Sequence, residues 1–426
     1  MEMILIIMLI FFLLLVISVP IPFAMVAATI VYILRQGTPL YILVHRMFEG
    51  INTFPLVAVP LFIFAGEVMN SSGITTSIFS FANCLVRHVR GGLGHANVIA
   101  SMIFAGMSGS AVADAGGLGK VELKAMKDAG YDLSFSTAIT AASSSIGPII
   151  PPSIPLVIYG IVAEVSIIKL FIAGIIPGVL IGIALMCTVY LKSNEHTAPK
   201  AKKRASFDEI KKSFIKALPA LGAPVILLGG ILTGVFTPTE AAAVCGFYGL
   251  LISEIFYEGL NLKSLLRIGK KTLLTSGSIL IIISAASLFS WLVTMEHLPS
   301  ILISISETYD FTAIQFLFFI NIFFLILGCF ITPESSILLL TPMLLPLVKH
   351  LGIDPVQFGV VFVLNMMIGL FTPPVGLCLF VLKDLSGLEM STIFKAMLPF
   401  LVSLIIVLIM ISYIPWLTLY LPRMLR

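Results

Sequence analysis

Charge is what this sequence has least of. Asp, Glu, Lys and Arg make up 11% of its 426 residues, where soluble domains carry about 25%. With 59% hydrophobic residues, that shortage excludes a soluble globular protein. The formal net charge of +4 is scattered over loops and forms no basic stripe, so a nucleic-acid surface is excluded too. The five cysteines (Cys84, Cys187, Cys245, Cys329 and Cys378) show no CxxC or ligand-like spacing, so they read as small apolar side chains. Six histidines form no HExxH pattern, and there is no Ser-His-Asp, phosphate-loop or dinucleotide fingerprint. Neither an enzyme nor an ATP-driven machine is expected.

What is present is apolar sequence in long runs. Segments 3–19, 238–253, 272–293, 313–331 and 396–420 approach or reach the roughly 20 residues that span a bilayer. The runs are continuous rather than alternating, which argues for helices over a membrane β-barrel. The start, Met1-Glu2-Met3 followed by an apolar run, lacks the basic region of a cleaved signal and is expected to stay as a membrane segment. The fold class is an all-α polytopic membrane protein.

Two stretches repeat at one offset. Ile146-Gly147-Pro148-Ile149-Ile150-Pro151-Pro152-Ser153 returns 222 residues later as Ile368-Gly369-Leu370-Phe371-Thr372-Pro373-Pro374-Val375. The same offset carries Gly106-Met107-Ser108-Gly109-Ser110 onto Gly328-Cys329-Phe330-Ile331-Thr332. Glycine and proline pairs inside apolar sequence interrupt helices. Matched interruptions in matched halves point to a transporter's binding site.

Charge placement supplies a topology. The longest polar stretch, 192–216, holds Lys192, Lys200, Lys202, Lys203, Arg204, Lys211, Lys212 and Lys216 against Glu195, Asp208 and Glu209. The positive-inside rule makes it a cytoplasmic linker between halves 1–191 and 217–426. Residues 96–127 have Arg87, His88, Arg90 and His95 before them and Lys120, Lys124 and Lys127 at their end. Both ends are therefore cytoplasmic, and the segment is a re-entrant hairpin with its tip near Ser108–Asp114. A broken helix follows over about 133–163. The second half repeats the order, with a hairpin at about 312–350 and a broken helix at about 355–382. The second hairpin enters from the outside, so the halves form inverted-topology repeats with both termini outside. Arg35, Arg46, Arg423 and Arg426 then lie outside, against the rule.

A helix broken in mid-membrane leaves backbone groups that something polar must satisfy. Ser108, Ser110, Ser143, Ser144, Ser145 and Ser153 surround the first break; Thr332, Ser335, Ser336, Thr341 and Thr372 surround the second. Hydroxyls and carbonyls without a carboxylate cluster suit a monovalent cation such as sodium better than calcium or magnesium. Any single serine is equally explained as a packing device. Asp114, Glu240 and Glu334 are intramembrane carboxylates and therefore candidates for function, although each could cap a helix, as Thr237-Pro238-Thr239-Glu240 suggests. Glu67 and Glu164 read as interfacial.

These residues carry a resemblance. Gly106–Asp114, Ala141–Pro155, Phe236-Thr237-Pro238-Thr239-Glu240-Ala241-Ala242 and Gly369-Leu370-Phe371-Thr372-Pro373-Pro374-Val375-Gly376 resemble the large, DctM-like membrane subunit of the tripartite ATP-independent periplasmic (TRAP) transporters. The resemblance runs over nearly the whole chain. It implies elevator-type, sodium-coupled import of an organic acid anion of the sialic acid or C4-dicarboxylate class into a bacterium across its inner membrane. It implies two partners: a periplasmic substrate-binding protein, and a small four-helix membrane subunit expected as a separate chain because no such segment precedes Met1. Carried over by motif, one sodium site falls at Ser108, Ser110, Gly147, Ile150 and Ser153, and a second at Gly328, Thr332, Gly369, Thr372 and Val375. Solute contacts are expected at Ser108, Asp114, Pro152, Thr332, Glu334 and Pro374. The competing readings are an ion-coupled carrier or antiporter without a binding protein, and an anion channel.

Overall fold

The computed structural model describes residues 2–194, 197–199, 203–257 and 259–424. Glu195, Lys200, Lys202 and Arg426 of the charge map lie outside the described residues. Within them the secondary structure is helical throughout. Helices α1 (Glu2–Val16), α2 (Ile21–Gln36), α3 (Tyr41–Ile51), α4 (Ala58–Ser71) and α5 (Ile74–Val86) come first. The first hairpin is α6 (Gly92–Ser108), α7 (Ala111–Gly116) and α8 (Leu118–Asp128). The first broken helix is α9 (Leu133–Ser144) and α10 (Ile154–Val162), and α11 (Ile167–Lys192) leads to the linker. Next come α12 (Phe207–Leu232), α13 (Pro238–Phe256), α14 (Leu262–Met295) and α15 (Leu298–Thr308). The second hairpin is α16 (Ala313–Gly328) and α17 (Pro333–His350), followed by the broken pair α18 (Pro355–Leu370) and α19 (Leu377–Ser386). The chain closes with α20 (Met390–Tyr413) and α21 (Trp416–Met424).

Among the described residues six helices are long and apolar enough to cross a membrane, and several apolar ones are shorter. The short ones include α16 and α18, as expected where hairpins turn back and helices break. α14, with 34 residues, is about 51 Å long at 1.5 Å per residue, well beyond a hydrocarbon core of about 30 Å. The interruptions lie close to where the sequence puts them, at 145–153 and 371–376. Each includes a cis Pro–Pro peptide, Pro151–Pro152 and Pro373–Pro374. The polar linker is shorter than its charge suggests, because residues 207–216 already belong to α12.

Helix starts follow local chemistry. Ser206 with Glu209, Thr237 with Glu240 and Thr312 with Gln315 each close a capping box at the start of α12, α13 and α16. In each, the hydroxyl accepts from the N3 amide while the N3 side chain accepts from the cap amide. Glu240 is thus a capping residue. Ser110, Ser153 and Thr332 cap α7, α10 and α17, so the small polar residues at the breaks also begin the helices that follow.

The two broken helices lie at the centre. Every residue from Val356 to Leu370 of α18 is buried, as is every residue from Phe135 to Ser144 of α9. A helix apolar all round requires neighbours on every side. In a membrane, burial of this kind gains little from the hydrophobic effect, since lipid is as apolar as the core. Close packing and interhelical hydrogen bonds decide instead. Phe324 of α16 stacks on Phe362 of α18 at 4.0 Å between centroids and 6° between planes. Glycines let backbones meet: a Cβ on Gly369 would stand 2.5 Å from the Cα and carbonyl carbon of Gly328. Outward-facing Phe318, Phe319, Phe323 and Ile326 on α16, and Val402, Ile406 and Ile409 on α20, are exposed as lipid contacts would be.

Contacts fix the ends of the hairpins. Arg87, ahead of the first hairpin, pairs with Glu209 at 2.7 Å and donates to the Lys203 carbonyl at 3.0 Å. Asp132, just after that hairpin, donates its amide to the Thr197 carbonyl at 3.1 Å. Both ends of the first hairpin therefore sit against the linker. His350 and Glu307, which flank the second hairpin, lie 3.4 Å apart. The far end of the first broken helix meets the second hairpin's base, where the Tyr159 hydroxyl donates to the Pro355 carbonyl at 2.7 Å.

Candidate functional site

The hairpin tips pack onto the breaks. At the first, the Ile154 amide reaches the Gly109 carbonyl across 3.4 Å. A Cβ on Gly109 would stand 2.6 Å from the Pro152 carbonyl oxygen, and one on Gly147 would stand 3.4 Å from the Ser110 carbonyl oxygen. Gly109 has φ +61°, so both its conformation and its neighbours require glycine there. Ser153 donates to the Pro148 carbonyl and accepts from the Leu156 amide at 3.2 Å, turning the chain from the break into α10. Ile150 sends its side chain away from the tip, against Gly178 of α11. Only its backbone remains for a ligand.

At the second tip, Gly328 and Gly369 touch backbone to backbone. The Thr332 and Ser335 hydroxyls lie 2.8 Å apart. Thr372 folds back on its own helix, donating to the Ile368 carbonyl at 2.9 Å, and Val375 is half-buried in the break. Within the first set of five, contact thus runs through Ser110 and Gly147, while in the second set it runs through the two glycines. A smaller cavity of about 120 Å³ joins both sets, lined by Gly109, Ser110, Pro148, Thr332, Glu334 and Leu370 among others.

Polar side chains brace each tip to its broken helix. Asn97 on α6 donates to Thr140 at 2.8 Å and accepts from Ser143 at 2.6 Å, both on α9. On the other side Asn365 of α18 donates to Asn321 of α16 at 2.8 Å, and Asn321 donates to Ser412 at 3.0 Å. Ser143 and Asn365 stand at the same 222-residue offset as the breaks. The sequence reading missed Asn97, Asn321 and Asn365. Their signal was available: amide side chains in otherwise apolar helices seek partners.

Among the described residues the buried hydroxyls of Ser108, Ser336 and Thr341 have no hydrogen-bond partner, and the buried Asp114 carboxyl has the Ser101 hydroxyl beside it. Glu122, also buried, has one unpartnered carboxyl oxygen. Burying such groups unpaired is costly, and orphan hydroxyls at the tips are donor atoms a small cation can use. Among the described residues no cluster of three or more His, Cys, Asp or Glu could hold a metal ion.

A larger cavity stands between the tips and helices α4 and α14. Its volume is about 380 Å³, and its lining includes Glu67, Ser108, Ser110, Lys271, Thr332 and Glu334. Of the expected solute contacts, Ser108, Thr332 and Glu334 line it. Asp114 does not: its side chain is buried behind the tip. Pro152 is buried in the break and Pro374 is exposed, and neither lines this cavity. Glu67, read from the sequence as interfacial, faces the cavity and pairs with Lys271 at 2.6 Å. Lys271, Thr275 and Ser278 were invisible as site residues because nothing local to α14 shows which face meets the tips. A second cavity of about 500 Å³ lies farther along α14, lined by Arg46, Glu49, Ile161, Ser290, Trp291 and Thr294 among others.

Comparison with known proteins agrees over the full length. The family described as "Tripartite ATP-independent periplasmic transporter, DctM component" matches residues 8–417. The chain is 43% identical over 411 residues to the sialic acid TRAP transporter large permease protein SiaM of Vibrio cholerae, covering 96% of this chain and 95% of that one. It is 39% identical over 382 residues to the C4-dicarboxylate TRAP transporter large permease protein DctM of Pseudomonas aeruginosa, covering 89% and 88%. Among solved structures, the Alcanivorax borkumensis YdaH transporter has a similar fold, with a TM-score of 0.66 at 15% identity over 90% of this chain and 88% of that one.

Proposed function

The chain belongs to the DctM component family of TRAP transporters, and from that premise we propose that it carries an organic acid anion into a bacterium by sodium-coupled secondary transport across the inner membrane. The sialic acid and C4-dicarboxylate permeases that it resembles are both named for carboxylate solutes. A small membrane subunit and a periplasmic binding protein complete the transporter. One observation carries the reading: both hairpin tips converge on a single cavity bounded by α4 and α14.

The physical sequence is short. Sodium held by tip and break oxygens, as a co-transported ion, orders the two interruptions. The ordered tips then bind the anion more tightly, and the solute must tighten sodium binding by the same factor. The halves act as inverted repeats, with hairpins and broken helices moving as one body against α2, α3, α4, α13 and α14. The cavity at the tips lies on the Lys271 side of α14, toward the N-terminal end of that helix, where solute leaves for the cytoplasm. The second cavity, at the other end of α14, marks the space into which that body slides to face the periplasm. Both termini are then periplasmic.

The test is uptake of labelled N-acetylneuraminate and succinate by proteoliposomes holding the complete transporter and its binding protein. Expected is accumulation that needs an inward sodium gradient, with Ser108→Ala and Thr332→Ala each raising the sodium concentration for half-maximal uptake. Passive flux indifferent to sodium would refute the coupling and favour a channel.

A further inference from the structure

We propose that Lys271 is the anion-binding residue of the cavity beneath the hairpin tips, and that Glu67 is a built-in competitor which reclaims Lys271 as the solute leaves. The proposal rests on the transport reading above, since it names the side chain that meets the solute.

Lys271 is the only basic side chain among the described residues lining that cavity, and it shares the lining with Ser108, Ser110, Thr332 and Glu334. Its ammonium is held at 2.6 Å by Glu67. Glu67 and Glu334 contribute two carboxylates against this one cation, so the cavity itself opposes an entering anion. Lysine presents three donors on a flexible stem and no fixed fork. It can turn from Glu67 toward a second anion with no backbone movement. Thr275 and Ser278, four and seven residues on, share that face of α14 and also line the cavity, offering hydroxyls to the same anionic group.

The pair is asymmetric. The Glu67 side chain is 14% exposed and the Lys271 side chain 61% exposed. When Lys271 turns away, Glu67 is left as a poorly hydrated charge, which costs far more than exposing the lysine. The pair therefore re-forms readily, and the anion is bound less tightly than a lone lysine would bind it. At a cavity on the release side, that weakening favours delivery over retention. A plain structural tie between α4 and α14 makes opposite demands on the same variants.

The experiment uses the complete transporter in proteoliposomes, with N-acetylneuraminate and succinate as probes. Half-saturation is measured from the linker side, by solute efflux and counterflow. Wild-type protein that moves neither probe overturns the transport reading, and this proposal with it. Given wild-type transport, Lys271→Gln is expected to raise the half-saturating solute concentration about tenfold or more, with Lys271→Arg recovering part of the loss. Glu67→Gln is expected to lower half-saturation and slow the maximal efflux rate. Two results would overturn the proposal while leaving the transport reading standing. One is that both Gln variants lose thermal stability with half-saturation unchanged. The other is that the swapped pair Glu67→Lys with Lys271→Glu restores wild-type transport, as a structural tie would.

Discussion

The contact between Gly328 and Gly369 offers the sharpest perturbation. Adding one methyl group at Gly369 puts a Cβ 2.5 Å from two backbone atoms of Gly328 and 2.8 Å from its carbonyl oxygen. Ordinary contact begins near 3.4 Å, so the tip and the broken helix must part by about 0.9 Å. No flexible side chain can yield, because the obstructing atoms are backbone. Overpacking of this kind costs about 1–3 kcal/mol. The displacement also exceeds by several times the roughly 0.2 Å within which metal–ligand distances are held. Gly369→Ala is therefore expected both to lower the apparent melting temperature and to raise the sodium concentration required for uptake. Buried Cys245, Cys329 and Cys378 make a thiol-reactive dye a direct reporter of unfolding. Gly277→Ala on α14 is the control: nothing lies within 4 Å of its added Cβ, and alanine favours a helix over glycine by about 1 kcal/mol. A Gly369→Ala protein that melts with the wild type and keeps its sodium dependence would refute the packing argument and the placement of a sodium site there.

Three further outcomes follow from the same contacts. Asn97→Leu removes the partner of Ser143 and Thr140 in a buried network and is expected to cost about 1–3 kcal/mol in dye-monitored melting. Glu122→Gln keeps the size of a buried side chain and removes its carboxyl–carboxyl interaction with buried Asp114; its melting temperature in the dye assay is expected to equal or exceed that of wild type, and a lower one would refute that repulsion. The Ser206 amide first, then the Arg87 guanidinium, hold the Glu209 carboxyl below its usual range. A lowered folded value means this anchoring is present at neutral pH and fades as pH falls through the carboxylate range. Amide protection in the linker, taken relative to the intrinsic exchange rate at each pH, is expected to fall on acidification, and Arg87→Ala to lower it already at neutral pH.

The sequence alone determined the apolar composition, the helical class and the place of both breaks. Each is written locally, in charge content, in the periodicity of apolar runs, in Gly-Pro interruptions and in N-cap residues such as Ser110, Ser153 and Thr332. It also pointed to capping for Glu240, because a capping box is a short-range motif. Only the tertiary structure decided which polar residues share a space. Asp114 and Glu334 look alike in the sequence, yet the first is sealed behind its tip and the second lines the cavity. Glu67 and Lys271 stand far apart in the chain and become neighbours only when α4 packs on α14. Helix periodicity defines a face without naming what that face meets, and in a membrane the apolar pattern is further blurred because lipid and protein select the same side chains.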